Sequence, residues 1–279
     1  MKGLAHVGAW KAVCECGVRV SEIVGTSIGS LVGACIAAGM EWEELAPRAL
    51  ALKKKDIVSL DGRALMLNGI RRESVFHDAA YREYIERTLP VERFDDLLLP
   101  MSMNAVDLET GRTEWFGVGG RTDLPLADAI YASSALPLFF PPARIGDHWY
   151  VDGGVRASLP LERAAERAAD LILAVDVSAG ETKDTKDVLS KGMVAIHHRV
   201  YDIMAHAQRQ AVLAAWSGPP IVHIRPRLDG YSTFDFDKTQ YFLEEGYRAT
   251  RRALANLPQL SESTPAAGKH PPGRAAAGA

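Results

Sequence analysis

The sequence predicts an α/β protein of three layers, with helices packed on both sides of a mostly parallel central sheet. Three observations predict it. Strand-like and helix-like segments alternate along the chain. The run Leu171–Val177 is almost continuously apolar, as a strand covered on both faces requires. The segment Gly25-Thr26-Ser27-Ile28-Gly29 stands between an apolar strand and a helix of small residues.

The elements follow in order. Leu4–Cys16 has the apolar and small positions of a helix, and Ile23-Val24 is a short strand ending at Gly25. Ile28–Gly39 is a small-residue helix that Gly39 stops. Trp42–Leu52 and Ser74–Thr88 are further helices. Leu99–Val106 and Arg112–Phe116 form a hairpin around Glu109-Thr110-Gly111. A helix over Pro125–Ala132 opens on proline, and His148–Val151 is a strand. Pro160–Ala168 is a helix that Ser158 is placed to cap. After Leu171–Val177 come one long helix over Asp187–Trp216, a strand Ile221–Ile224 and a closing helix Asp237–Asn256. Ser261–Ala279 consists mostly of Pro, Gly, Ala and Ser without periodicity, the composition of a disordered tail. The expected organisation is one domain over 1–260 and a tail over 261–279.

A chain of 279 residues with 47% apolar content is long enough for one large core, and a net charge of −3 gives no electrostatic reason to expect nucleic acid. Its three cysteines, Cys14, Cys16 and Cys35, have no framework spacing and fit a reducing compartment. Cys14 and Cys16 sit two apart in a helix and point to different faces, so buried free thiols are expected rather than a metal pair. No signal peptide is present, and the apolar run Ile28–Met40 is too short to span a bilayer. A cytoplasmic protein, peripheral at a membrane at most, is the expectation.

Gly25-x-Ser27-x-Gly29 between a strand and a helix suits a nucleophile on a sharp turn. The following helix aims the Ile28 N–H at a developing oxyanion. The same letters suit a helix N-cap by Thr26 or Ser27, and spacing alone does not separate the two readings. An anion-binding turn is a third reading, but the segment lacks the Gly-Lys-Ser/Thr of a P-loop. A nucleophilic serine needs a base. His223 lies inside a strand, His197, His198 and His206 inside the long helix, and His270 in the tail. His198, Asp202 and His206 share one helical face, a pattern that solvated polar residues explain more simply than a metal. Asp152 is the better partner. It ends the strand Trp149-Tyr150-Val151 and precedes Gly153-Gly154, where α/β sheets place their sites, although Asp-Gly is also a common turn pair.

Four stretches, read in order, resemble the patatin-like phospholipases. Lys2-Gly3-Leu4-Ala5-His6-Val7-Gly8 resembles the end of the family's glycine-rich oxyanion loop and its first helix. Gly25-Thr26-Ser27-Ile28-Gly29 resembles its nucleophile elbow. Ala132-Ser133-Ser134-Ala135-Leu136-Pro137 with Phe140-Pro141-Pro142 resembles the segment before its aspartate. Val151-Asp152-Gly153-Gly154 resembles its Asp-Gly-Ala/Gly motif. The Asn104–Phe116 hairpin and Thr233-Phe234-Asp235-Phe236 resemble the bacterial branch related to neuropathy target esterase.

The resemblance implies a Ser-Asp dyad, Ser27 attacking the ester and Asp152 taking its proton, with oxyanion or substrate contacts from Lys2, Gly3 and Ile28. The substrates it implies are glycerolipid or lysophospholipid acyl esters, with transient contact at a membrane surface and no metal or cofactor. Leu136, Phe139 and Phe140 are candidate pocket walls. The family carries a strand and a run of glycines before the position of Lys2-Gly3, and both are missing from this sequence. Met1 is therefore expected to be an internal methionine of a longer protein, the alternative being a genuine short form with weak or no activity. Ser158 stands where the family has asparagine. The competing expectations are a non-catalytic lipid- or partner-binding protein of the same fold and a Ser-His-Asp esterase.

Overall fold

The computed structural model describes residues 2–59, 73–178, 184–232, 234–255 and 257 of the chain. The Ser261–Ala279 tail and Thr233 lie outside the described residues. A 3-10 turn at Lys2–Leu4 opens into helix α1 (Ala5–Glu15), which returns through Gly17 to strand β1 (Ile23–Gly25) and helix α2 (Ile28–Ala37). Helices α3 (Trp42–Ala51), α4 (Lys54–Ile57) and α5 (Ala79–Thr88) precede a hairpin of β2 (Met101–Asp107) and β3 (Thr113–Gly117). Helix α6 (Leu126–Ser134) leads to β4 (Ala143–Ile145) and β5 (His148–Asp152), followed by the short helices α7 (Gly154–Ala157) and α8 (Leu161–Ala165). Then come β6 (Ile172–Val175), α9 (Thr185–Ser190), α10 (Gly192–Ala214), β7 (Ile221–Ile224) and α11 (Thr239–Ala255).

The sheet is organised around β2. All seven of its residues are buried, so both of its faces are covered. Met101, Met103 and Ala105 belong to the main core with Leu31, Ile130, Tyr131 and Phe140. On one edge β2 pairs antiparallel with β3 over Ser102–Val106. β1 pairs parallel with Met101–Met103, and β5 pairs antiparallel with Ala105–Asp107. A strand has two edges and β3 occupies one of them along nearly the whole length. β1 and β5 therefore lie end to end on the other edge, their carboxyl ends facing each other across Asn104.

The α/β class holds, but the sheet is mixed rather than mostly parallel. In the five-stranded sheet only β1–β2 is parallel, and the parallel pair β6–β7 forms a sheet of its own. Alternation of elements predicted parallel strands, whereas the hairpins β2–β3 and β4–β5 reverse direction locally. Other local differences have similar causes. Residues 74–78 precede α5 as irregular chain, because the Val75 and Phe76 N–H groups bond to the carbonyls of Leu138 and Phe139, both at 2.8 Å. The long helix expected over Asp187–Trp216 is two helices, broken at Gly192 with φ 77°. Cys14 is exposed rather than buried, while Cys35 is buried. Ser158 does not cap α8, since its Oγ accepts from Arg209 Nη1 at 3.0 Å. Among the described residues no helix is long and apolar enough to cross a membrane.

Candidate active site

β1 delivers the chain to an abrupt turn. Ser27 has φ 56° and ψ −133°, a region that a residue with a Cβ occupies at a cost of about 1–3 kcal/mol. The surroundings hold it there: the Ser27 N–H donates to Ser133 Oγ at 3.1 Å, and Ser30 Oγ donates to the Ser27 carbonyl at 2.5 Å. Gly25 is needed because a methyl on it would meet Ser30 Cα at 2.7 Å, where α2 closes onto the strand. Gly29 is not under the same demand. A methyl there would come no closer than 3.5 Å, to His6 Nε2. Ser27 precedes α2, yet its side chain caps nothing.

The Ser27 hydroxyl is turned instead towards Asp152. Oγ donates to Asp152 Oδ2 at 2.6 Å, and the Gly154 N–H donates to Oδ1 at 2.7 Å. The Asp152 N–H is itself tied to the Ala135 carbonyl at 3.0 Å. Asp152 is 1% exposed. Burial raises its carboxyl pKa to about 6, against the opposing pull of the hydrogen bonds from Ser27 and Gly154. A side chain at Gly153 would overlap Asn104, so the aspartate turn needs a bare backbone at that position.

Asn104 lies between the two strand ends and was not singled out by sequence reasoning as a site residue. Fully buried, it accepts from Thr26 Oγ1 at 2.8 Å and donates through Nδ2 to the Gly153 carbonyl at 3.1 Å. One amide thus joins the serine turn to the aspartate turn. A readable signal was present: asparagine is depleted in strands, yet it stands in the middle of one, between Met103 and Ala105. The Ser133 hydroxyl has a comparable role at the serine turn.

Ser27 and Asp152 open onto a cavity of about 570 Å³ whose walls include Lys2, Gly3, Ile28, Leu136, Tyr201 and Arg209. The Ile28 N–H has no hydrogen-bond partner among the described residues, while the next two N–H groups bond to the Thr26 and Ser27 carbonyls at 2.9 and 2.8 Å. A smaller cavity of about 80 Å³ continues from Gly3, Ser27 and Ile28 past Leu136 and Phe140. Phe139 does not line it but packs its ring on Phe234 at 4.7 Å. The hydrogen bond of Ser27 Oγ goes to Asp152 and not to a histidine, although His6 and His198 line the same cavity. His223 Nε2 is 3.3 Å from Asp176, which Arg209 also approaches at 3.5 Å. Burial opposes ionisation of Asp176, but His223, Arg209 and Ser178 outweigh it and hold the carboxyl well below the usual range. His6, half-buried on the cavity wall, is lowered to about 4 by burial against the pull of Asp176. His198 Nε2 approaches Asp202 Oδ1 only to 4.0 Å.

The patatin-like phospholipase family model matches residues 1–165, and the chain belongs to this family. An uncharacterised NTE family protein of Mycobacterium tuberculosis is 33% identical over 186 residues, covering 67% of this chain and 49% of that protein. Patatin-like phospholipase domain-containing protein 7 of Rattus norvegicus is 27% identical over 88% of this chain and 19% of its own length. Lysophospholipase NTE1 of Kluyveromyces lactis is 25% identical over 96% of this chain and 19% of its own length. The chain therefore spans about half the length of the mycobacterial relative and about a fifth of the other two. Among solved structures, VipD from Legionella pneumophila aligns with a TM-score of 0.52 and 14% identity over 91% of this chain and 65% of that one, a likeness of fold.

Proposed function

We propose that this chain is a lipid acyl hydrolase, a carboxylic ester hydrolase acting on phospholipid or lysophospholipid esters through a Ser27–Asp152 dyad. The observation that carries the reading is the direct 2.6 Å hydrogen bond from Ser27 Oγ to the buried Asp152 carboxylate, made at a strained turn on the wall of a large cavity. Ser27 Oγ bonds to the ester carbonyl carbon while its proton passes to Asp152 Oδ2. The Ile28 N–H, with backbone from Lys2 and Gly3, stabilises the oxyanion. The carbon–oxygen bond to the alcohol breaks, and Asp152 returns the proton to the leaving oxygen. Water then attacks the acyl-enzyme, giving a proton to Asp152, which restores Ser27. A carboxylate raised to about 6 is a stronger base than an ordinary aspartate and is still ionised at neutral pH.

The family and the names of the relatives support the substrate class. Transient contact with a membrane surface is supported by α10, which exposes Met193, Ile196, Val200, Ile203 and Met204. The test is turnover of a short-chain nitrophenyl ester. Wild-type activity lost in both Ser27→Ala and Asp152→Asn is expected. Full activity in Asp152→Asn overturns the dyad, and an inactive wild-type chain favours a non-catalytic lipid-binding protein.

A further inference from the structure

Tyr201 projects from α10 towards the Ser27–Asp152 pair. It shares a helical face with Ala205 and Arg209, and all three line the large cavity. Arg209 anchors that face through Ser158 at 3.0 Å and Asp176 at 3.5 Å, and the Tyr201 ring stacks beside His198 with planes 14° apart. A methyl built on Gly154 would meet the Tyr201 hydroxyl at 2.5 Å and Asp152 Oδ1 at 2.9 Å. The phenol therefore sits against the aspartate turn, beside the oxygen that Ser27 does not use. It makes no hydrogen bond with any described residue, unlike the Tyr81 hydroxyl, which donates to Ser134 Oγ at 2.9 Å. A hydroxyl without a partner among the described residues, carried by a half-buried tyrosine beside a base and facing a cavity, is placed to donate to something that enters the cavity.

We propose that the Tyr201 hydroxyl donates a hydrogen bond to the oxygen of the departing alcohol and, in the second half-reaction, to the oxygen of the attacking water. This rests on the acyl-hydrolase reading. The two oxygens occupy one place, because water attacks the acyl-enzyme from where the alcohol left, next to the same base. The proton inventory is unchanged by Tyr201. Asp152 takes a proton from Ser27 and gives it to the leaving oxygen, then takes one from water and gives it back to Ser27, while the phenol keeps its own throughout. Burial, reinforced by the charge of Asp152, holds the phenol well above its ordinary pKa, so it remains a neutral donor.

The test compares Tyr201→Phe with wild type on two esters of one fatty acid, a nitrophenyl ester and a monoacylglycerol. Nitrophenolate leaves without help, whereas an alkoxide does not. Tyr201→Phe is expected to lower kcat on the monoacylglycerol by about 10²-fold, the scale of one lost donor. The pre-steady-state nitrophenol burst should stay within about threefold of wild type, and its slower turnover phase should fall with the loss of the water contact. The melting temperature should not change, because the hydroxyl has no partner among the described residues to lose. A burst slowed by the same factor as the monoacylglycerol reaction indicates a merely structural role and overturns the assignment, as does undiminished monoacylglycerol turnover. Ser27→Ala separates this from the parent reading. Turnover surviving in Ser27→Ala, or none in wild type, overturns the dyad and the Tyr201 role with it. Loss in Ser27→Ala alone, with Tyr201→Phe like wild type on both esters, overturns only the latter.

Discussion

Replacing Asp152 by asparagine tests the electrostatics of the site without relying on turnover. The carboxyl has a pKa of about 6 in the folded chain, because burial disfavours its charge more than the Ser27 and Gly154 hydrogen bonds favour it. In the unfolded chain it returns to about 4. Between those values the folded chain holds a proton that the unfolded chain releases, so folding stability falls as pH rises. The contribution is fully present below about pH 4 and gone once pH has passed about 6. A shift of about two units at about 1.4 kcal/mol each amounts to roughly 3 kcal/mol. Asparagine is neutral at every pH and its Oδ1 still accepts from Ser27 or Gly154. Asp152→Asn should therefore gain about 3 kcal/mol on wild type between pH 4 and 7, or several degrees in melting temperature. Thermal unfolding of both proteins, followed by circular dichroism from pH 4 to 8, measures the difference. Parallel melting curves, or a variant that loses ground to wild type as pH rises, would refute the reasoning.

Two further outcomes concern the serine turn. Ser27→Gly and Ser27→Ala lose the same hydroxyl, but only glycine is relaxed at φ 56°. After allowing for glycine's chain entropy, Ser27→Gly should be the more stable by about 1 kcal/mol in urea unfolding, and equal midpoints would contradict strain at this residue. Gly25→Ala should be destabilised by several kcal/mol, since its methyl meets the Ser30 backbone, whereas Gly29→Ala should stay within about 1 kcal/mol of wild type. Similar losses from both would show that the two glycines are required for the same reason.

The contact between Ser27 and Asp152 was legible because each stands at or just past a strand end with glycines close by, a local pattern that sequence carries well. Of the two glycines in the serine segment, Gly25 is sterically necessary and Gly29 is not, a difference hidden from sequence because the crowding depends on how α2 settles on β1. Strand direction was less legible. A hydrophobic run has the same pattern parallel or antiparallel, and β5 became antiparallel to β2 through pairings such as Asp107 with Tyr150, which are far apart in the chain and leave no local signal. The break at Gly192 was hidden because apolar periodicity runs on through it. Ser158 looked like a cap from its place before α8, yet its hydroxyl was claimed by Arg209, a partner 51 positions away. Tyr201 offered no local sign at all: its neighbours on the helix are ordinary, and only folding brings it to Gly154.

The head-to-head arrangement of β1 and β5 makes β2 the ruler of the site. Gly25 is matched to Met103 and Asp152 to Ala105, so the distance from serine to aspartate is counted out along one strand's backbone. Turns that return the chain elsewhere, such as the one between β4 and β5, can lengthen or change without altering that count. A slip of β5 by one residue would instead send Asp152 to the opposite face of the sheet. The pair can part only when β2 gives up a neighbour, which ties the persistence of the site to the cohesion of the most deeply buried strand in the sheet.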